Sequence, residues 1–267
     1  MDIPNVTPPG SLAASVLLRE QAGGVAILTL NRPRQYNALS EALLDALAAE
    51  LDALAHDESM RVVMITGAGT SFCAGHDLRE MRSLDERAVH ALFARCSEVM
   101  LKLVALPQPV IAVVNGLATA AGCQLVAQCD LAVAAESARF AVSGVNLGLF
   151  CSTPAVALSR SVSRKRAAEM LFTGEFIEAE QALDWGLVNR VAPAERLMET
   201  AQELATSLMS KPPEALALGK ALFYRQLGDD LAAAYADATR TIACNMGMDV
   251  AREGVAAFLE KREPDWK

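Results

Sequence analysis

Two stretches of almost no side-chain bulk carry the chemistry that this sequence offers. In the first, Ala118-Thr-Ala-Ala-Gly122 leads into Cys123-Gln124-Leu125-Val126, where a helix is expected to begin. The free N–H groups of a helix's first turn, opening out of a loop without large side chains, form a site for developing negative charge. The second stretch, Ala74-Gly75-His76-Asp77, stands immediately before another helical pattern and could supply the other half of such an anion site. Both have a plainer reading, in which small residues let a buried helix pack closely on a sheet. The side chain of His76 invites a catalytic role, but a lone loop histidine is more often structural. Ser143 and Ser152, in a glycine-containing loop, are candidate nucleophiles without a GxSxG elbow, because the residue two before Ser143 is Ala141. Arg32 and Arg34 could meet a phosphate or simply be solvated.

These residues need elements to position them. Val110-Ile-Ala-Val-Val114 is rich in β-branched types and reads as a fully buried strand, which Asn115-Gly116 ends. Val16–Glu20 and Val25–Leu30 read as a hairpin across Gly23-Gly24. Ser40 is the expected N-cap of a helix reaching about Ala55. Arg61–Thr66 reads as a strand, followed by Gly67-Ala-Gly69. A dinucleotide fingerprint is rejected there, since Phe72 occupies the place of the third glycine. An amphipathic helix is expected from about Asp85 to Leu106, then short strands at Leu131–Ala135 and Arg139–Val142, then a loop running to a helix near Pro154. From Arg164 onward the pattern is helical. Strands alternating with helices and then a helix-rich end predict an α/β core with a helical extension.

The 267 residues, 52% hydrophobic and 21% charged, fit a globular chain with a sizeable core. A formal charge of −8 argues against nucleic acid or an anionic membrane as the main partner. The six cysteines form no CxxC pair and the three histidines are not spaced as a zinc set, so free thiols in a reducing compartment and no metal are expected. No leader is visible in residues 1–12, read as a loose tail, and a cytoplasmic location follows, or the mitochondrial matrix if the chain is a processed eukaryotic form.

Asn31-Arg-Pro-Arg34 with Asn37-Ala-Leu39, Phe72–Leu78, Val114-Asn-Gly116, Gly122-Cys-Gln-Leu125, Cys129-Asp130, Phe172-Thr-Gly174, Ala182–Val188 and Glu253–Arg262 together resemble the enoyl-CoA hydratase/isomerase family, the crotonases. The resemblance runs in unbroken order over nearly the whole chain. It is nearest to the enoyl-CoA hydratase domain-containing subgroup that carries Gly-Cys-Gln. It implies a spiral of βαβ units over residues 13–200, with a C-terminal helical segment over 201–267 that builds a homotrimer or a dimer of trimers. It also implies an acyl-CoA thioester as ligand, with no cofactor beyond the coenzyme A of the substrate.

By that resemblance the oxyanion-hole N–H groups fall on His76 and Ala121. Ala38, Ala74, His76, Asp77 and Leu78 fall among the CoA contacts, Arg34 resembles a phosphate contact, and Phe258 with Lys261 resembles the C-terminal contribution to the CoA pocket. The sequence departs from the family where hydration is done. The two hydratase glutamates align with Gln124 and Gly144, and the aspartate of dienoyl-CoA isomerases falls near Ser152. A glutamine amide orients water without taking its proton, and glycine offers no side chain. The expected activity is therefore acyl-CoA chemistry with weak hydration, and the alternative is a non-catalytic acyl-CoA binder or oligomer partner.

Overall fold

The computed structural model describes residues 15–266. The tail expected over residues 1–12 lies outside the described residues. The chain opens with a hairpin, β1 (Leu17–Ala22) and β2 (Val25–Leu30), joined by Gly23 and Gly24 at φ 56° and 84°, a left-handed turn that glycine adopts without strain. Helix α1 (Glu41–Ala55) starts where the Ser40 hydroxyl accepts the Leu43 N–H at 3.2 Å. Its leucines 43, 44, 47, 51 and 54 recur at helical spacing and bury one face. Strands β3 (Val62–Gly67) and β4 (Ser71–Cys73) precede a single turn, α2 (Leu78–Met81), and the long α3 (Glu86–Ala105), capped by Asp85.

The fully buried β5 (Val110–Val114) and short β6 (Leu117–Thr119) lead into α4 (Ala121–Gln128). After β7 (Leu131–Ala135) and β8 (Arg139–Ala141), a 3-10 turn over Ser143–Leu147 precedes α5 (Ser152–Ser161) and α6 (Arg164–Thr173). The chain continues through β9 (Ile177–Glu178), α7 (Ala179–Asp184), β10 (Arg190–Ala192), α8 (Leu197–Met209), α9 (Pro213–Gln226), α10 (Leu231–Met246) and α11 (Asp249–Glu260).

The strands sort into two sheets, β1-β2-β3-β5-β7-β10 and β4-β6-β8-β9. Each successive pass of the chain leaves one strand in the large sheet and the next in the small one: β3 then β4, β5 then β6, β7 then β8. Within each sheet those strands are parallel, so the chain advances as a spiral. This is the crotonase-like α/β spiral with C-terminal helices that the motifs imply. Strands β4, β6, β9 and β10 were not expected from the sequence. They are two or three residues long, too short for alternation to be read.

Residue 200, after which the C-terminal helical segment is expected, falls inside α8. Leu197, Ala201 and Ala205 of α8 are buried in the main core, so the helical extension starts with α9. Helix α9 is tied to that core by a buried charge pair. Lys220 Nζ donates to Leu103 O and Gln108 O, each at 2.9 Å, and lies 2.7 Å from Asp130 Oδ2. Asp130 also accepts from the Val110 N–H at 2.7 Å and the Tyr224 hydroxyl at 2.8 Å. No helix among the described residues is long and apolar enough to cross a membrane.

Candidate active site

The two low-bulk stretches meet. A Cβ built on Gly75 would lie 2.9 Å from Ala120 Cβ and 3.2 Å from Ala121 N, so only glycine, at φ 89°, lets the loops approach this closely. Thr119 reinforces the contact by donating its hydroxyl to Ala74 O at 3.0 Å. His76 is held by a one-residue parallel bridge to Leu39. Leu39 N–H donates to Gly75 O at 2.7 Å and Asp77 N–H donates to Leu39 O at 3.1 Å. Because the flanking residues make these bonds, the N–H of His76 faces away from Leu39.

Ala121 is the first residue of α4, where a backbone N–H has no partner within the helix. Ala120 before it sits at φ 49°, ψ −118°, an uncommon conformation for a residue with a Cβ, held by its N–H bond to Ala141 O at 2.9 Å. Neither the His76 nor the Ala121 N–H donates to any acceptor among the described residues. Two orphan donors therefore stand on adjoining loops. The plainer reading also holds one residue later, where a Cβ on Gly122 would collide with Cys73 O of β4. Ala121 is thus small beside an open donor, and Gly122 is small for packing.

Asn37 and Arg32 build the frame around these loops. Fully buried Asn37 accepts the Arg32 N–H at 2.9 Å and donates to Ala68 O and Ser71 O. Arg32 reaches Asp77 Oδ2 at 2.8 Å, while Asp77 Oδ1 caps α2 through the Arg79 N–H. The Asp77 carboxyl is held below its ordinary range, burial opposing the effect while Arg32 and the cap bond produce it. With both carboxylate oxygens engaged inside the protein, Asp77 acts as a clamp. Ala38 is buried within this frame, Ala74 lies beside His76, and Leu78 is exposed at the start of α2. Arg34 is exposed with no carboxylate partner among the described residues.

The His76 ring packs at a tilt against Phe93 of α3, centroids 4.6 Å apart, and burial lowers its pKa to about 4. It is a neutral imidazole near pH 7. Its Nε2 is one of four buried side-chain atoms without a partner among the described residues, along with Gln124 Oε1, Thr153 Oγ1 and Gln108 Oε1. Gln108 lines a separate cavity of about 520 Å³ with Arg61, Met60 and Pro213. Gln124 lies one turn after Ala121 on α4, and helical side chains lean back toward the N-terminus, which carries its amide toward the open donor.

Gly144 sits in the 3-10 turn after β8. A Cβ there would lie 2.7 Å from Cys151 Sγ and 2.9 Å from Leu149 O, and the Gly144 N–H donates to that sulfur at 3.3 Å. The space a side chain at 144 would enter is held by a thiol. Sequence reasoning overlooked this residue, and Thr153 with it, because a cysteine seven positions away carries no signal of where its sulfur points. Ser152 is exposed, its hydroxyl donating to Phe150 O at 3.2 Å, and Ser143 begins the turn. Phe258, 82% exposed, and Lys261 lie on and just after α11, which packs on α9 and α10, so they are not part of the buried cluster. All six cysteines are free, and no group of three or more metal-binding side chains occurs among the described residues.

The family model described as enoyl-CoA hydratase/isomerase matches residues 20–267. The chain belongs to that family. It is 48% identical over 247 residues to the mitochondrial enoyl-CoA hydratase domain-containing protein 3 of Rattus norvegicus, covering 92% of this chain and 82% of the relative. Its fold matches the crystal structure of an enoyl-CoA hydratase from Mycobacterium smegmatis with TM-score 0.92 and 57% identity, over 94% of this chain and 98% of that one. It also matches human enoyl-CoA hydratase domain-containing protein 3 with TM-score 0.90 and 45% identity, over 94% and 100%. Among hydratase/isomerase family members, this chain presents a glutamine amide at 124, bare backbone at 144 and a thiol beside it.

Proposed function

We propose that this chain is an acyl-CoA enzyme that holds the thioester carbonyl oxygen between the N–H groups of His76 and Ala121. The observation that carries this is the meeting of two orphan donors on loops whose small residues leave room for a ligand. Such donors act on charge as it develops on the oxygen, and each contributes about 10²- to 10³-fold to rate. The exposed Arg34 would take a phosphate of coenzyme A, Ala38, Ala74, Asp77 and Leu78 would flank its adenine and pantetheine through main chain and small side chains, and Phe258 with Lys261 would close the pocket. Coenzyme A enters as part of the substrate, and the protein needs no cofactor of its own. Hydration is weak in this reading, because Gln124 and Gly144 stand where acid/base carboxylates work, and each missing group costs about 10²- to 10⁴-fold.

The assembly would be a homotrimer or a dimer of trimers, formed through the helical extension, where Leu231, Tyr235 and Phe258 leave large apolar side chains exposed. A non-catalytic acyl-CoA binder is the second reading, favoured by the absence of a carboxylate at 124 and 144.

Calorimetry with acetyl-CoA, crotonyl-CoA and the matching free acids tests the ligand class: thioesters bind and free acids do not. Ala121→Pro then tests the donor, since proline is accepted at the first position of a helix but has no N–H. Turnover on a panel of acyl-CoA esters falls about 10²-fold or more while circular dichroism shows the fold kept. Ala121→Val keeps the donor and crowds its approach, and also lowers turnover. Full turnover in a folded Ala121→Pro protein returns the low-bulk stretch to a packing role, and unchanged binding without any turnover in the parent leaves the binder reading standing.

A further inference from the structure

The hydratase/isomerase reading leaves open which group of this chain moves a proton, since neither aligned glutamate is present. The geometry around Gly144 narrows the choice. A side chain at 144 would point at Cys151 Sγ, so the thiol occupies the direction from which a group at that position would act. Cys151 is only partly buried and therefore reachable, and it is the N-cap residue of α5, with its sulfur fixed by the Gly144 N–H. Helix α5, which Cys151 caps, packs on α4, and Ala141, three residues before Gly144, accepts the Ala120 N–H at 2.9 Å. The turn whose Gly144 N–H holds the Cys151 sulfur therefore follows directly on the strand end bonded to Ala120, at the N-terminal end of α4 where Ala121 and Gln124 lie.

A second feature lies on the two helices that pack together here, α4 and α5. Gln124 is 4% exposed, and its Oε1 meets no donor among the described residues. The Oγ1 atom of half-buried Thr153, two residues beyond Cys151, is also shielded from solvent and without a partner among the described residues. Buried polar atoms without partners are rare in folded proteins, and these two stand on α4 and α5, the helices that pack on each other here.

Resting on the acyl-CoA reading above, we propose that the Cys151 sulfur is the group that takes and returns the proton at the carbon next to the thioester carbonyl. In that step the Cα–H bond breaks and its proton passes to the Cys151 thiolate, giving the thiol. The electron pair runs into the carbonyl, and the resulting enolate oxygen is held by the His76 and Ala121 N–H groups. Return of a proton from sulfur to carbon restores thioester and thiolate, with no oxidant or co-reactant. The substrate class is any acyl-CoA with an α-hydrogen, and the chemistry is α-proton exchange and the isomerisations that pass through an enolate. Burial holds the Cys151 thiol above its ordinary pKa, opposed by the Gly144 N–H, so the thiolate grows in as pH rises into the alkaline range.

The test uses the full chain with butyryl-CoA in D2O, following loss of the α-proton signal by NMR and binding by calorimetry. The parent protein exchanges the α-protons above the uncatalysed rate, increasingly at higher pH. Cys151→Ala binds butyryl-CoA as tightly but loses about 10²-fold or more of the exchange, together with its alkaline rise. Cys151→Ser keeps the volume and the hydrogen bond from Gly144, so it restores exchange if the residue only packs, and fails to if sulfur carries the proton. Full exchange in Cys151→Ala, rescue by serine, or no exchange in a parent that binds butyryl-CoA each overturns the assignment while leaving the acyl-CoA reading intact. Absence of butyryl-CoA binding overturns both.

Discussion

At the C-terminal end of α4, Asp130 accepts from the Val110 N–H, the Tyr224 hydroxyl and the Lys220 ammonium, and Lys220 spends its other two donors on Leu103 O and Gln108 O. At the N-terminal end, about two turns away, the Ala121 N–H, Gln124 Oε1 and the neighbouring His76 Nε2 have no partners among the described residues. One short helix therefore ends in a closed polar cluster and begins in an open one. A closed cluster is what a fold needs from buried charge, because an uncompensated ion in the interior is costly. An open one lowers stability and persists where a ligand completes it. The contrast separates two motifs of similar appearance: Cys129-Asp130 fastens the helical extension, and Ala121 with Gln124 leaves a donor and an acceptor open among the described residues.

The sharpest way to break that contrast is to remove one polar partner at each end. Lys220→Met strands the half-buried Asp130 charge and is expected to cost about 3 kcal/mol of unfolding free energy in denaturant titration. Gln124→Met removes an acceptor that has no protein donor to lose. It is expected to leave stability unchanged or raise it, because an unsatisfied buried group costs about 1 to 3 kcal/mol. Equal losses in the two variants would mean that the N-terminal end is as fully bonded as the other.

Titration of His76 gives the next largest effect. Its folded pKa, lowered to about 4 by burial, lies below the unfolded value of 6.5. The unfolded chain therefore binds the proton first as pH falls. The stability associated with the neutral ring is fully present above pH 6.5 and is lost progressively toward pH 4, on the order of 3 kcal/mol by linkage. His76→Phe keeps the ring contact with Phe93 and removes the titration, so its stability falls less than the parent's over that window. Matching acid profiles for the two proteins would show that the His76 ring is solvated.

Much of this contrast was legible in the sequence. The buried run Val110–Val114, the hairpin glycines, the Ser40 cap and the two low-bulk stretches all follow from local patterns that the structure uses locally. The short strands β4 and β6 escaped because three residues show no periodicity, yet they bring Gly75 against Ala121. The partner of Asp77 was equally hidden, since nothing in Asn31-Arg-Pro-Arg34 tells that Arg32 turns inward to a clamp while Arg34 remains exposed. Cys151 escaped for the same reason: its importance lies in what it touches, and that contact is made by a turn whose shape the sequence does not display.

The smallest effect on stability, and the most discriminating on function, concerns Gly144. A residue that had merely lost its glutamate would accept one back without strain. Here a Cβ would lie 2.7 Å from Cys151 Sγ and 2.9 Å from Leu149 O, and the second of these is main chain that cannot rotate aside. Gly144→Glu is therefore expected to destabilise by about 1 to 3 kcal/mol, as overpacking does. For the same reason Gln124→Glu with Gly144→Glu gains little crotonyl-CoA hydration, because the new carboxylate is pushed off the line that Cys151 occupies. Adding Cys151→Ala clears the sulfur and leaves only the Leu149 carbonyl to adjust, so the triple variant hydrates crotonyl-CoA faster than the double one and recovers part of the lost stability. Hydration that rises fully in the double variant, with no drop in thermal midpoint, would show that the turn after β8 yields freely and that the thiol does not define the space beside it.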